Sequence, residues 1–336
     1  MARFRKGKQT FVFEKPPYIV STGAVGGKRE SEGPLAAAFD MTSKDTHFGE
    51  SSWEKAETRI QVLALEAALK KINLQTGDID LVFAGDLLNQ CIGTSFAMRE
   101  AGIPFLGLYG ACSTMAESLA LAAMAVSGGY ADRAVAMSSS HFASAERQYR
   151  FPLVYGGQRT PTAQWTVTGA GCAVLAAEGA GPCVTAATIG KICDWGIKDA
   201  NNMGAAMAPA AVHTIARHLR DLGRKPADYD LIVTGDLGSL GKAVVLDLFR
   251  KEGVELENVY DDCGVLIYDL EKQDVHAGGS GCGCSACVFC GHLYQQMQKK
   301  IYHKILLCGT GALLSPTSTY QGESIPSICH AVSIEL

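Results

Sequence analysis

No apolar run in these 336 residues approaches the roughly 18 to 20 needed to cross a bilayer. The most apolar helix candidate, Ala111 to Val126, is shorter than that and carries Glu117. Residues 1–20 hold no apolar core of the secretory kind, so the chain is expected to be made and to fold in the cytosol. A broad basic face is missing too. Thirty Lys and Arg stand against 34 Asp and Glu, a net charge of −4, and nucleic acid is not an expected partner. Arg3, Arg5, Lys6 and Lys8 form a short basic N-terminus interrupted by Phe4 and Gly7. It reads as a solvated tail in preference to a contact for anionic lipid headgroups. A phosphate loop is absent as well: position 22 is Thr and position 29 is Arg, so the glycines near Lys28 fail the required spacing. Nor do the twelve cysteines form a disulfide scaffold in a chain this long. Most sit beside Ala, Gly, Val or Leu, where a free thiol acts as a small hydrophobe in a reducing compartment.

What the chain does have is an internal repeat. Asp78-Ile79-Asp80-Leu81-Val82-Phe83-Ala84-Gly85-Asp86-Leu87 returns 150 residues later as Asp228-Tyr229-Asp230-Leu231-Ile232-Val233-Thr234-Gly235-Asp236-Leu237. Each copy is a polar turn, a short apolar strand, then Gly-Asp-Leu. Ahead of each lies a helix with one apolar face: Ile60, Leu63, Ala64 and Ala67, then Val212, Ile215, Ala216 and Leu219. Ser51 with Glu54 suits a capping box for the first, and Pro209 the first turn of the second. Behind each strand a further helix ends at a glycine stop, Gly102 or Gly253.

Order of elements gives the architecture. Each half opens with an apolar strand, Tyr18 to Thr22 and Val184 to Ile189, then alternates helix and strand. A third unit follows: Phe105 to Leu108, the 111–126 helix and strand Arg133 to Met137 in one half. Val265 to Tyr268, a Cys284–Lys299 helix and strand Lys304 to Cys308 match it in the other. The reading is an α/β fold with a mostly parallel sheet and helices on its faces, built from halves at 1–180 and 181–336.

Four features carry possible chemistry. Cys112 opens a helix after a short strand, where unpaired N–H groups and the helix dipole favour thiolate. The same position equally suits a small residue buried at a tight strand–helix joint. Asp86 and Asp236 follow strand carboxyl ends, where open parallel sheets bind ligands. Asp86 is expected to cap the next helix, and Asp236 to accept a hydrogen bond or a metal. Cys282, Cys284, Cys287, Cys290 and His292 place five possible ligands in eleven residues. That stretch also falls where the repeat needs a glycine-rich turn and a close-packed helix, and packing is preferred over metal. His141 follows Ser138-Ser139-Ser140 at the sheet edge that also holds Cys112, as a site residue or a plain loop histidine.

These features resemble the thiolase superfamily, whose members are built from two such halves about a pseudo-twofold axis, each βαβαβαββ. Thr168-Gly169-Ala170-Gly171-Cys172-Ala173-Val174-Leu175 is similar to that family's Gly-Asp-Gly-Ala-Gly-Ala-Val-Leu strand. Gly309-Thr310-Gly311-Ala312 is similar to its final glycine turn, and Cys112 falls at the nucleophile position. More closely, the chain resembles a thiolase-fold family of sporulation proteins from spore-forming bacteria. Thr22 to Gly27, Asp40 to Glu57, Tyr109 to Met115, Ser138 to Phe142 and Gly278 to Cys290 carry that likeness.

The superfamily's condensing enzymes pair the cysteine with a His and a second His or Asn. The resemblance places Asp236 at the His position and Gly279 or Ser280 at the next. A carboxylate there repels a thiolate and an oxyanion, so the resemblance implies a binding protein with a vestigial nucleophile and no resident cofactor or metal. The implied ligand is dipicolinic acid, alone or as its Ca²⁺ chelate, held by Cys112, His141, Lys198, Asp236, Ser280 and Gly311. Lys191 is an alternative source of positive charge, and Asp236 would be protonated or bridged by Ca²⁺. The implied setting is uptake into developing spores, peripheral at the spore inner membrane, as a homodimer with proteins of the same sporulation operon. Two other readings stand beside it. One is a residual Cys112-dependent acyltransferase or thioesterase; the other is a dimeric adaptor docking onto membrane partners.

Overall fold

A computed structural model describes residues 4–149 and 159–336; Arg3 lies outside them. The first half runs β1 (Tyr18–Gly26), α1 (Trp53–Lys71), β2 (Leu81–Gly85), α2 (Ile92–Ala101), β3 (Phe105–Gly107), α3 (Thr114–Ser127), β4 (Arg133–Ser140) and β5 (Gly169–Ala176). The second repeats that order. It runs β6 (Cys183–Thr188), α4 (Met203–Leu222), β7 (Leu231–Thr234), α5 (Gly238–Lys251), β8 (Tyr260–Asp262), α6 (Cys282–Cys287), β9 (Lys304–Ala312) and β10 (Ser327–Glu335). The strands lie in the order β8-β7-β9-β10-β6-β1-β5-β4-β2-β3. That list reads as a palindrome: each strand of one half has its counterpart at the mirrored place, with β2 equivalent to β7. The two five-stranded sets meet at one residue pair, Tyr18 with Cys183.

The sheets are mixed rather than mostly parallel. β2 pairs parallel with β3 and β4, and β7 with β8 and β9. β5 and β10, together with β1 and β6, run antiparallel to their neighbours. The parallel strands are those joined by a crossover helix packed on the sheet, whereas β4–β5 and β9–β10 have no such crossover.

Five layers result. α1 packs on the outer side of β1, β5 and β4, and α4 on that of β10, β9 and β6. Between the sheets lies α3, which touches β2 and β4 on one side and β9 and β10 on the other. Its sequence explains that place. Thr114 to Ser127 is apolar nearly all round, with Met115, Ala116, Leu119, Ala120, Ala122 and Ala123 fully covered. A helix of that kind has to be buried on every side. Each large aliphatic side chain so covered contributes about 1.5–3 kcal/mol. α6 lies beside α3 and continues through a π turn (Val288–Leu293) into a last helical stretch, Tyr294–Gln298.

Several local expectations need correction. The strand expected at Val265–Tyr268 is a helical turn, Cys263–Leu266, and the strand is β8 just before it. Asp262 sets the change: its carboxylate accepts the N–H of Gly264 and so starts the turn. α4 begins six residues before Pro209, capped by Asn202 through the Ala205 N–H, so Pro209 is interior. Ser52 rather than Ser51 caps α1, accepting from the Lys55 N–H. Gly102 and Gly253 do take left-handed backbone at the ends of α2 and α5.

The cysteine segment is a packing device. Cys282, Cys284, Cys287 and Cys290 are buried along one helical path, and the Cys287 thiol points at the Val25 and Ala170 carbonyls. Among the described residues no group of three His, Cys, Asp or Glu is arranged to hold a metal. At Gly171 an added Cβ would lie 2.2 Å from the Ala286 carbonyl oxygen, which is how closely α6 approaches β5. Gly171→Ala should therefore destabilise the fold by about 2–3 kcal/mol, read as a lower urea midpoint; an unchanged midpoint would show that the two backbones are not in contact.

Candidate functional site

The carboxyl ends of β2 and β4 in one half and of β7 and β9 in the other converge on a cavity of about 340 Å³. Leu87, Tyr149, Met203, Leu313, Leu314 and Pro316 form most of its wall, and Cys112, Glu146, Thr166 and Ser280 are polar points on it. Cys112 sits in a single 3-10 turn, Ala111–Ser113, immediately before α3. Ala111 takes a left-handed φ of 51° to aim that turn, an uncommon conformation for a residue with a side chain. Gly311 lies on β9 opposite the turn. A Cβ there would stand 2.7 Å from the Gly110 oxygen and 3.1 Å from the Ser113 nitrogen, so glycine lets the two halves close around Cys112.

Asp236 is wholly buried behind this wall. Its Oδ2 accepts the Gly281 N–H at 2.9 Å and its Oδ1 the Thr310 hydroxyl at 2.8 Å. Burial pushes its carboxyl up to about 6, opposed by hydrogen bonds from Cys112, Gly281, Thr310 and Ser280. Four donors from three separate segments thus meet on one carboxylate. Cys112, Ser280 and Asp236 are brought together as the repeat requires.

His141 and Lys198 stand elsewhere. His141 is buried, with Nε2 2.8 Å from the Thr46 carbonyl and Nδ1 accepting the Ala143 N–H at 3.2 Å. Those partners assign its proton to Nε2 and leave it pinning the 42–50 loop rather than forming the cavity wall. Burial lowers its affinity for a second proton. Lys198 donates to the Gly322 carbonyl at 2.6 Å. Neither it nor Lys191 lines the cavity, and among the described residues no Lys or Arg does.

The two repeat aspartates have parted roles. Asp86 accepts from the Leu88 and Thr94 N–H groups and from the Thr94 hydroxyl, which caps α2 as expected. In the second half Asp262 does that work, holding the Leu237 and Gly238 N–H groups at the start of α5, and Asp236 turns to the seam instead. Burial raises Asp262 to about 7.

Sequence reasoning missed Glu146, Thr166 and Tyr149 on the wall and Glu57 beneath it. Glu146 accepts the Thr166 hydroxyl at 3.0 Å. Glu57 takes hydrogens from Ser139 and Ser144, and burial beside Asp86 raises it to about 8. Ser139 and Ser144 bracket His141, so the serine-rich strand end was a signal for a buried acid that reads in hindsight only with a partner in view.

The family model described as Stage V sporulation protein AD matches residues 7–335. Stage V sporulation protein AD of Bacillus subtilis (strain 168) is 47% identical over 329 residues, covering 98% of this chain and 97% of that protein. Among solved structures the chain is similar to 3-oxoacyl-[acyl-carrier-protein] synthase III from Aquifex aeolicus VF5. That match has a TM-score of 0.59 at 14% identity and covers 95% of this chain and 100% of the other. An OleA variant from Xanthomonas campestris bound with cerulenin has a TM-score of 0.61 at 14% identity, over 97% and 98% of the two chains. Likeness at that identity concerns the fold, which is thiolase-like.

Glu57 gives a test of the buried network. Its raised carboxyl means the fold binds a proton that the unfolded chain releases between its ordinary value, 4.5, and about 8. The resulting stability is complete below that window and is lost as pH rises through it. Glu57→Gln, which mimics the protonated form, should flatten the fall in urea midpoint between pH 5 and 8.5. An identical fall in the variant would place the proton on another group.

Proposed function

We propose, for a chain that belongs to the Stage V sporulation protein AD family, that the cavity beside Cys112 binds dipicolinic acid or its Ca²⁺ chelate and supports its uptake into developing spores. The observation that carries this reading is the pairing of Cys112 with a buried carboxylate instead of an imidazole. Asp236 accepts the thiol hydrogen and cannot donate to a thioester oxyanion while ionised, so the geometry favours holding a ligand over acyl transfer. The cavity is at the small end of ligand pockets and its wall is mainly apolar, which suits the faces of one planar ring. A rigid dicarboxylate loses little freedom on binding there.

No helix among the described residues is long and apolar enough to cross a membrane. A peripheral place at the spore inner membrane would then depend on other stage V sporulation A-operon proteins. A homodimer is proposed through the outermost strand, β3, whose free edge carries the exposed Leu106, with exposed Tyr109 just beyond.

Calorimetric titration with dipicolinate, with and without Ca²⁺, tests the ligand; no heat in either case sinks the reading. Cys112→Ser should keep most of the binding, whereas Cys112→Trp should fill the cavity and abolish it. Loss of binding in a folded serine variant would give the thiol a chemical role. Intact-mass spectrometry after incubation with acyl-coenzyme A should show no adduct on Cys112; an acyl adduct would revive the acyltransferase or thioesterase. For the dimer, Leu106→Asp should slow-sediment as a monomer where the parent chain sediments as a pair.

A further inference from the structure

Asn89, Tyr109 and Ser315 bring polar side chains to the cavity wall from other segments, but the part of the wall in front of Asp236 is short of hydrogen-bond donors. Cys112 and Ser280 each have one hydrogen to give, and both direct it to Asp236 behind the wall. Toward the cavity they present lone pairs. Thr166 spends its hydrogen on Glu146, and Tyr149 gives its own to the Leu87 carbonyl. A carboxylate set against Cys112 and Ser280 therefore meets acceptors, and one of their hydrogens has to turn round to receive it.

Asp236 bears the consequence. It keeps the Gly281 N–H and the Thr310 hydroxyl but gives up a donor, while a new negative charge arrives on the far side of Cys112 and Ser280. The titratable groups facing it are Cys112 before α3, Asp262 at the end of β8, Cys263 in the turn that follows, and Cys282 and Cys284 on α6. None of them is a cation. Asp262 and Asp236 repel one another. The Gln164 side chain donates to the Asp236 backbone carbonyl, not to its carboxylate. Burial already raises this carboxyl to about 6 before any ligand enters, so at pH 7.5 it is still ionised.

We infer that Asp236 selects the charge form of the ligand: a free dicarboxylate enters together with one proton from solvent, which settles on the Asp236 carboxyl, whereas a ligand already neutralised by a divalent cation enters without it. The protonated carboxyl supplies a hydrogen of its own and releases those of Cys112 and Ser280 to the ligand. Asp236 is thus a positioning residue that acts through two side chains. This rests on the cavity being the dicarboxylate site proposed above.

Calorimetry of dipicolinate into the full chain at pH 7.5, in buffers of different ionisation heat, counts the protons directly. Uptake approaching one proton per free dianion is expected, and close to none with equimolar Ca²⁺. Asp236→Asn should bind the free dianion with no proton uptake. Unchanged uptake in that variant, or none in the parent chain, overturns the inference while leaving the binding site standing. Should the variant fail to fold, the pH profile of the parent chain decides. Affinity for the free dianion should fall about tenfold per pH unit between pH 6.5 and 8 while that for the chelate holds; a level profile for the dianion overturns the inference. Failure of both forms to bind removes the ligand reading and this inference with it.

Discussion

Covering α3 on all sides is the requirement from which the rest of the architecture follows. A helix with no polar face of its own needs an apolar surface on each flank, and one five-stranded sheet supplies only one. The second sheet supplies the other, so neither half is complete without its counterpart. Because α3 begins at the carboxyl ends of the strands, its first turn lies where both halves open. Cys112 is in that turn, and the meeting of Gly311 with Gly110 and Ser113 closes the second half over it. The cavity is thus a by-product of how the central layer is buried.

Duplication gives symmetry, and the site lies where symmetry is broken. Asp86 and Asp236 occupy equivalent places after β2 and β7, yet only Asp86 caps a helix. Asp262, one strand over, has taken the capping duty in the second half. That substitution of one acid for another frees Asp236 to collect donors from the turn before α3, from β9 and from the start of α6. A carboxylate bound by three segments also fixes their relative positions, since removing any donor leaves a buried acceptor less well satisfied.

Much of this was legible in the residues. The Gly-Asp-Leu repeat gives the two halves and the equivalence of β2 and β7, because a strand followed by a tight turn leaves a strong local signature. Small residues around Gly171 and Cys287 point to close packing for the same reason: only volume is at stake. The local misreadings share a cause. Val265–Tyr268 is apolar enough for a strand, but the Asp262 carboxylate starts a turn there, and periodicity does not register a side-chain cap. Lys198 was a reasonable cation for an anionic ligand until the fold tied it to Gly322. Glu57, Glu146 and Asp262 stayed hidden because a buried acid is recognised by what surrounds it, and those neighbours come from distant parts of the chain.

One edge of the fold constrains the order in which it can be assembled. Residues 10–12 pair with 186–188 on β6, and the Gln9 N–H and Thr10 hydroxyl reach Asp221 on α4. During synthesis residues 10–12 therefore have only their own short hairpin with residues 5–6 to pair with until more than half of the protein has left the ribosome. The first half can lay down α1 and its own strands in the meantime, but the 5–12 hairpin waits, with its outer edge solvated, for a strand not yet made. Docking of that segment is then a late event that reports on the second half, so a protease site placed near Gly7 would remain open to cleavage in nascent chains shorter than β6 and close once α4 is in place.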